Sequence, residues 1–176
     1  ILDLVKTREA EGYSYDTAQA SFEVLARREL GLCPEFFDVK RYKVSVERRK
    51  NKYNRMVSLS EAVVVVRING EKKMSVSASM DELGNERGPV NALSKALAKD
   101  LGPYQKMIDD MSLVDYKVRI TQGGTEAVTR VVIDCEDSKG RCWSTVGVSA
   151  NIVDASFEAL LDAINWKLIR DTGQRA

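Results

Sequence analysis

The sequence predicts an α+β protein built from two βββα units related by pseudo-twofold symmetry, preceded by a short helical linker subdomain. Three observations carry this prediction. The apolar period is helical up to about residue 31 and switches to strict alternation after Phe36. The order strand, strand, strand, helix then occurs twice in succession. The two occurrences also share local sequence, with Arg41-Tyr42-Lys43-Val44-Ser45-Val46 echoed by Asp115-Tyr116-Lys117-Val118-Arg119-Ile120.

The helical subdomain covers 1–35 and the remainder 36–176, with repeat one at 36–105 and repeat two at 111–171. The first helix runs from Ile1 without a preceding cap, as expected of a piece taken from a longer chain. The second is expected from Asp16, with Ala18, Phe22, Leu25 and Ala26 as its apolar stripe, and stops at Leu30-Gly31. Tyr42–Val46, Ala62–Ile68 and Lys73–Ala78 read as strands, and Asn69-Gly70 is a hairpin turn. Gly88-Pro89-Val90 opens a helix with proline in its first turn, and Val90, Leu93, Ala96, Leu97 and Leu101 form its apolar face. In repeat two, Asp115–Ile120, Thr125–Val132 and Trp143–Val148 are the strands. Glu126-Ala127-Val128 echoes Glu61-Ala62-Val63, and Asp137–Gly140 is a turn. A helix over Val153–Arg170 follows, with Phe157, Leu160, Leu161, Ile164 and Leu168 on one side. A three-stranded sheet with one helix leaves apolar surface uncovered, so the units are expected to pack together and the chain to dimerise.

Composition narrows the function. Hydrophobic residues make up 44% and charged residues 30%, which fits a folded globular chain. The net charge of +1 argues against a polyanion or a membrane surface as partner. No apolar run approaches a membrane span, the longest being Ala62–Val66. The three cysteines, Cys33, Cys135 and Cys142, lack metal-ligand spacing and read as reduced thiols of a cytoplasmic protein. With no histidine, the commonest general base and metal ligand is missing, which lowers the case for catalysis.

The candidate motifs are mostly structural. The basic run Arg48–Arg55 reads as a solvated hairpin loop, because the rest of the chain is electrically balanced. Gly123-Gly124-Thr125 lacks nucleotide-loop spacing and reads as a tight turn before a strand. Asp109-Asp110 and Asp134 with Glu136 are solvated carboxylates without a partner base. The helix starts Gly88-Pro89-Val90-Asn91 and Asn151-Ile152-Val153-Asp154 offer free backbone N–H groups that suit a carboxylate, although ordinary capping explains them equally.

At these residues the chain resembles a known family. Gly88-Pro89-Val90-Asn91-Ala92-Leu93, Asp115-Tyr116-Lys117-Val118-Arg119, Gly124-Thr125-Glu126-Ala127, Trp143–Val148 and Ala155-Ser156 with Ala159-Leu160 carry the likeness. They are similar to the C-terminal regulatory (LeuA-type dimerisation) domain of the 2-isopropylmalate synthase and citramalate synthase family, from about residue 37 to the end. Gly12-Tyr13, Ala18, Ala20-Ser21-Phe22-Glu23 and Leu25-Ala26-Arg27-Arg28 resemble the linker helices of the citramalate synthase branch.

The resemblance implies a parent acyltransferase that condenses acetyl-CoA with a 2-oxo acid on a metal-dependent TIM barrel preceding Ile1. No cofactor is expected in this chain; the divalent metal and acetyl-CoA belong to the barrel. It further implies a homodimer that binds isoleucine, or leucine in the other branch, as a feedback inhibitor. By the same likeness the effector pocket takes in Gly88, Pro89, Val90 and Asn91, with Leu113, Tyr116 and Ile120, and Thr125 and Ala127. Helix N–H groups would hold the carboxylate and Asn91 would help place the ammonium group. Val90, Leu113, Ile120 and Ala127 would line an aliphatic slot beside Tyr116. Where the family commonly has glycine two places before Gly88, this chain has Glu86, a possible ammonium acceptor. Isoleucine and leucine differ by about 1–3 kcal/mol in such a pocket, so residue types leave the choice open. A dimerisation module without effector binding, or a small stand-alone enzyme using acidic residues, are the other readings.

Overall fold

The computed structural model describes residues 1–81, 88–122 and 127–173. The element order is α1 (Leu2–Ala10), α2 (Gln19–Glu29), β1 (Asp38–Lys50), β2 (Met56–Ile68), β3 (Glu71–Asp81), α3 (Pro89–Leu97), a 3₁₀ turn (Gly102–Tyr104), α4 (Gln105–Ile108), β4 (Ser112–Gln122), β5 (Val128–Glu136), β6 (Cys142–Ser149) and α5 (Ile152–Asp171). Two antiparallel sheets, β1-β2-β3 and β4-β5-β6, are each followed by a helix, so the doubled βββα unit is present. The chain divides into two compact units, residues 35–105 and residues 1–34 with 106–176.

In the unit of residues 35–105, the strands run well beyond the alternating apolar cores. β1 and β2 pair from Asp38↔Arg67 to Lys50↔Met56, with one bulge near the start of β1. Arg48, Arg49 and Lys50, expected in a loop, therefore stand on paired backbone, since ladder hydrogen bonds hold polar residues as well as apolar ones. Only residues 51–55 turn, with Asn51 Oδ1 accepting from the amides of Tyr53 and Arg55 at 2.9 and 3.1 Å. Ala92, Leu93, Ala96 and Leu97 of α3 and Ala62, Val64, Val66 and Ile68 of β2 are buried. Leu101 lies beyond the helix, which ends at Leu97, yet is fully buried. Its amide donates to Gln105 Oε1 at 2.9 Å, and Gln105 Nε2 donates to Ala98 O at 2.7 Å, so one side chain clasps the turn.

In the unit of residues 1–34 and 106–176, the sheet carries α5 on one face and an N-terminal segment on the other. Against one face lies α5, so closely that a Cβ on Gly147 would meet Ala155 O at 2.0 Å. Thr145 Oγ1 donates to Ala159 O at 2.8 Å across the same contact. The segment Gly12–Ala18 lies against the other face, and α2 runs beside β6 and α5, its Glu23 and Arg28 bonded to Trp166 and Asp162. Here the helix begins at Gln19, not Asp16, because Tyr13 and Tyr15 are drawn into a cluster with Ala18 and Val146. The buried positions of α2 are Ala20, Ser21, Val24 and Arg27, whereas Phe22 is 40% exposed, which corrects the expected stripe. Ser21 explains the shift, since its Oγ accepts from the Val146 amide at 3.0 Å and fixes which side faces the sheet.

A buried ion network closes the far end of this unit. Lys167 Nζ lies 2.9 Å from Asp110, 2.9 Å from Asp137 and 3.0 Å from Asp171. Arg141 joins Asp137 and Asp171.

Candidate functional site

The residues that the resemblance singles out fall on both units. Gly88, Pro89, Val90 and Asn91 belong to residues 35–105, and Leu113, Tyr116, Ile120 and Ala127 to the other unit. Thr125 lies outside the described residues, as do Gly123, Gly124, Glu86 and Arg87.

Gly88 is the N-cap of α3, with extended backbone (φ −74°, ψ −171°) and Pro89 in the first turn. Among the described residues no side chain caps this end, in contrast to α5, where Asn151 accepts from the Val153 amide at 2.9 Å. Residues Gly88 to Asn91 are half-buried, and a Cβ on Gly88 would meet open space.

On β4, Leu113, Tyr116 and Ile120 are spaced by three and four residues, which in a regular strand would scatter them over both faces. A β-bulge resolves this. The register steps from Leu113↔Cys135 to Asp115↔Asp134, leaving Val114 as the extra residue. Across an antiparallel pair, opposed residues share a face. Leu113, Tyr116, Val118 and Ile120 are therefore aligned with Cys135, Ile133, Val131 and Thr129 on the α5 side. Repeat one has a bulge at the equivalent place, between Val39 and Arg41, immediately before Tyr42.

β4 is an edge strand, and its aligned row is open: Leu113 is 40%, Val118 41% and Ile120 70% exposed. Tyr116 is held at its polar tip. Its hydroxyl lies 2.7 Å from Ser156 Oγ, and Ser156 in turn donates to Ile152 O at 2.6 Å. The tip is committed to the first turn of α5, and the ring remains as an apolar wall.

The same unit holds two cavities that the sequence did not announce. One, of about 520 Å³, is lined by Ala20 and Glu23 of α2, Cys142 and Trp143 of β6, and Trp166 and Arg170 of α5. The indoles of Trp143 and Trp166 stack at 5.1 Å. The other, of about 530 Å³, is bounded by Ser14, Asp16 and Thr17 on one side and Lys117, Arg119 and Arg130 on the other. Among the described residues no group of three or more His, Cys, Asp or Glu side chains is arranged to hold a metal, and no helix is long and apolar enough to cross a membrane. The three cysteines are free, and burial pushes the Cys135 thiol up to about 12.

Residues 16–168 match the family described as the LeuA allosteric (dimerisation) domain. The chain is 39% identical to an (R)-citramalate synthase of Aquifex aeolicus over 173 residues, 97% of this chain and 31% of that protein. It is 41% identical to an (R)-citramalate synthase of Geobacter sulfurreducens over 170 residues, 96% of this chain and 30% of that protein. A 2-isopropylmalate synthase of Clostridium kluyveri is 33% identical over 150 residues, 85% of this chain and 25% of that protein. The chain thus spans less than a third of the length of these relatives.

Proposed function

Because this chain belongs to the LeuA allosteric (dimerisation) domain family, we propose that it is the feedback-sensing domain of a citramalate synthase, binding isoleucine and joining two copies of its parent. The parent enzyme would condense acetyl-CoA with pyruvate on a metal-dependent barrel outside these residues, and this domain would contribute no catalytic group. The observation that carries the reading is the bulge at Val114. It gathers Leu113, Tyr116, Val118 and Ile120 into one open apolar row, the kind of wall an aliphatic side chain requires. At the start of α3, where Pro89 has no N–H and the Asn91 amide bonds to Gly88 O, the Val90 amide would meet the ligand's carboxylate. Thr125 and Ala127 complete the proposed set.

Higher identity to the citramalate synthases than to the 2-isopropylmalate synthase favours isoleucine over leucine. Thermal denaturation tests this. Isoleucine at a hundred times its dissociation constant would stabilise the fold by about 2.7 kcal/mol. Leucine at the same concentration would raise the midpoint less. A second reading, a dimerisation module without an effector, draws on the same row, since an exposed apolar edge strand also suits a second copy. A sedimenting dimer with no shift from either amino acid would select it.

A further inference from the structure

We propose that Glu158, Asp162, Trp166 and Arg170 of α5 form a release latch, holding α1 and α2 as an element that detaches while the sheet and α5 stay folded. The four residues recur at a spacing of four and so lie along one helix face. Each grips the N-terminal segment through a polar group. The Glu158 carboxylate accepts from the Tyr13 hydroxyl at 2.7 Å and lies 3.4 Å from Arg8. It also accepts from the Val148 amide at 3.0 Å, which ties the grip to the sheet. Asp162 pairs with Arg28 at 3.0 Å. Trp166 Nε1 and Arg170 both donate to Glu23, at 2.8 and 2.5 Å.

The contact of α5 with the sheet and the contact of residues 1–29 with both are held by different physics. The α5 face buries Phe157, Leu160, Ile164 and Leu168 and leaves no room for a Cβ at Gly147. The contact made by residues 1–29 buries fewer large apolar side chains. Helix α1 has no buried residue, and of the buried residues of α2 only Val24 has a large aliphatic side chain. Residues 14–23 wall both cavities, of about 520 and 530 Å³, against the sheet and, in the first, against Trp166 and Arg170 of α5. Parting here gives up the burial of Tyr13, Tyr15, Ala18, Ala20 and Val24, a smaller apolar set than that of α5, and the polar bonds exchange for bonds to water.

The regulatory use of the latch rests on the sensing reading above. Tyr116, on the proposed effector row, bonds Ser156 in the first turn of α5, two residues before Glu158. The row and the latch therefore share one helical turn.

Native-state hydrogen exchange on the 176-residue chain tests the proposal, with Tyr13→Phe and Glu158→Gln as variants. Tyr13→Phe keeps the buried ring and removes only the hydroxyl, so it serves if Glu158→Gln fails to fold. The expected result is exchange at least tenfold faster across residues 2–29, with β5 and the 159–169 stretch of α5 unchanged. Equal acceleration everywhere, or none in residues 2–29, would overturn it. A parallel run with isoleucine separates the two readings. Absence of any ligand effect counts against sensing and leaves the latch to be judged on the variants alone.

Discussion

Asp162 is a carboxylate placed where its charge is costly. Burial pushes it up to about 6, although Arg28 and a bond from Ser21 pull it down; Glu158 on the same helix adds to the rise. The folded carboxyl thus holds its proton more tightly than the unfolded one. Its stabilising contribution is complete below pH about 4 and is lost as pH rises through about 6. Asp162→Asn, neutral throughout, is expected to match the parent chain at pH 4 and exceed it at pH 7 by on the order of 2 kcal/mol. Urea denaturation of both proteins across that range measures the difference, and parallel curves would contradict it. Lys167 is the opposite case. Burial pulls its pKa down, but bonds to Asp110, Asp137 and Asp171 more than offset this and hold it above the ordinary value. Lys167→Met should lower stability by about 3–5 kcal/mol, read from the same denaturation curves, because Asp110 would lose its cation and the partial neutralisation of Asp137 and Asp171 would be left to Arg141 and Lys139. Neither residue was legible in the sequence. Asp162 and Lys167 read as the polar side of an amphipathic helix, and only the convergence of segments around 28, 110 and 137 makes them interior.

At the scale of elements, the βββα order was legible because alternation and helical period report which face is buried. The strand ends were not, since backbone pairing continues through polar stretches such as Arg48–Lys50. The repeat was read correctly at Tyr42 and Tyr116, whose preceding bulges coincide. The Glu-Ala-Val echo was misleading. Tyr42 faces Val64 and Tyr116 faces Ile133, so two steps back along each middle strand Ala62 corresponds to Val131, and Ala127 lies outside the equivalent position. The bulge that aligns Leu113 with Tyr116 leaves no mark in composition; family likeness named those residues, and register explains why they share a face. Gly147 was expected only as a strand residue. Gly147→Ala should cost about 1–3 kcal/mol or prevent folding, because the obstructing atom is backbone and not a yielding side chain. A thermal midpoint unchanged within 1 °C would refute that packing.

For the whole molecule, the proposed sensing rests on the open aliphatic row of β4, and the latch on the bonds between α5 and residues 1–29. Sensing here means that a free branched-chain amino acid binds this chain. The most direct measurement is a calorimetric titration of the 176-residue chain with isoleucine and, separately, leucine. The account predicts saturable heat with isoleucine and affinity about tenfold weaker, or less, with leucine, consistent with a difference of one methyl position. Ile120→Asp, which places a charge on the open row, should abolish that heat without unfolding a side chain already 70% exposed. Flat titrations with both amino acids, or full binding retained by Ile120→Asp, would contradict it.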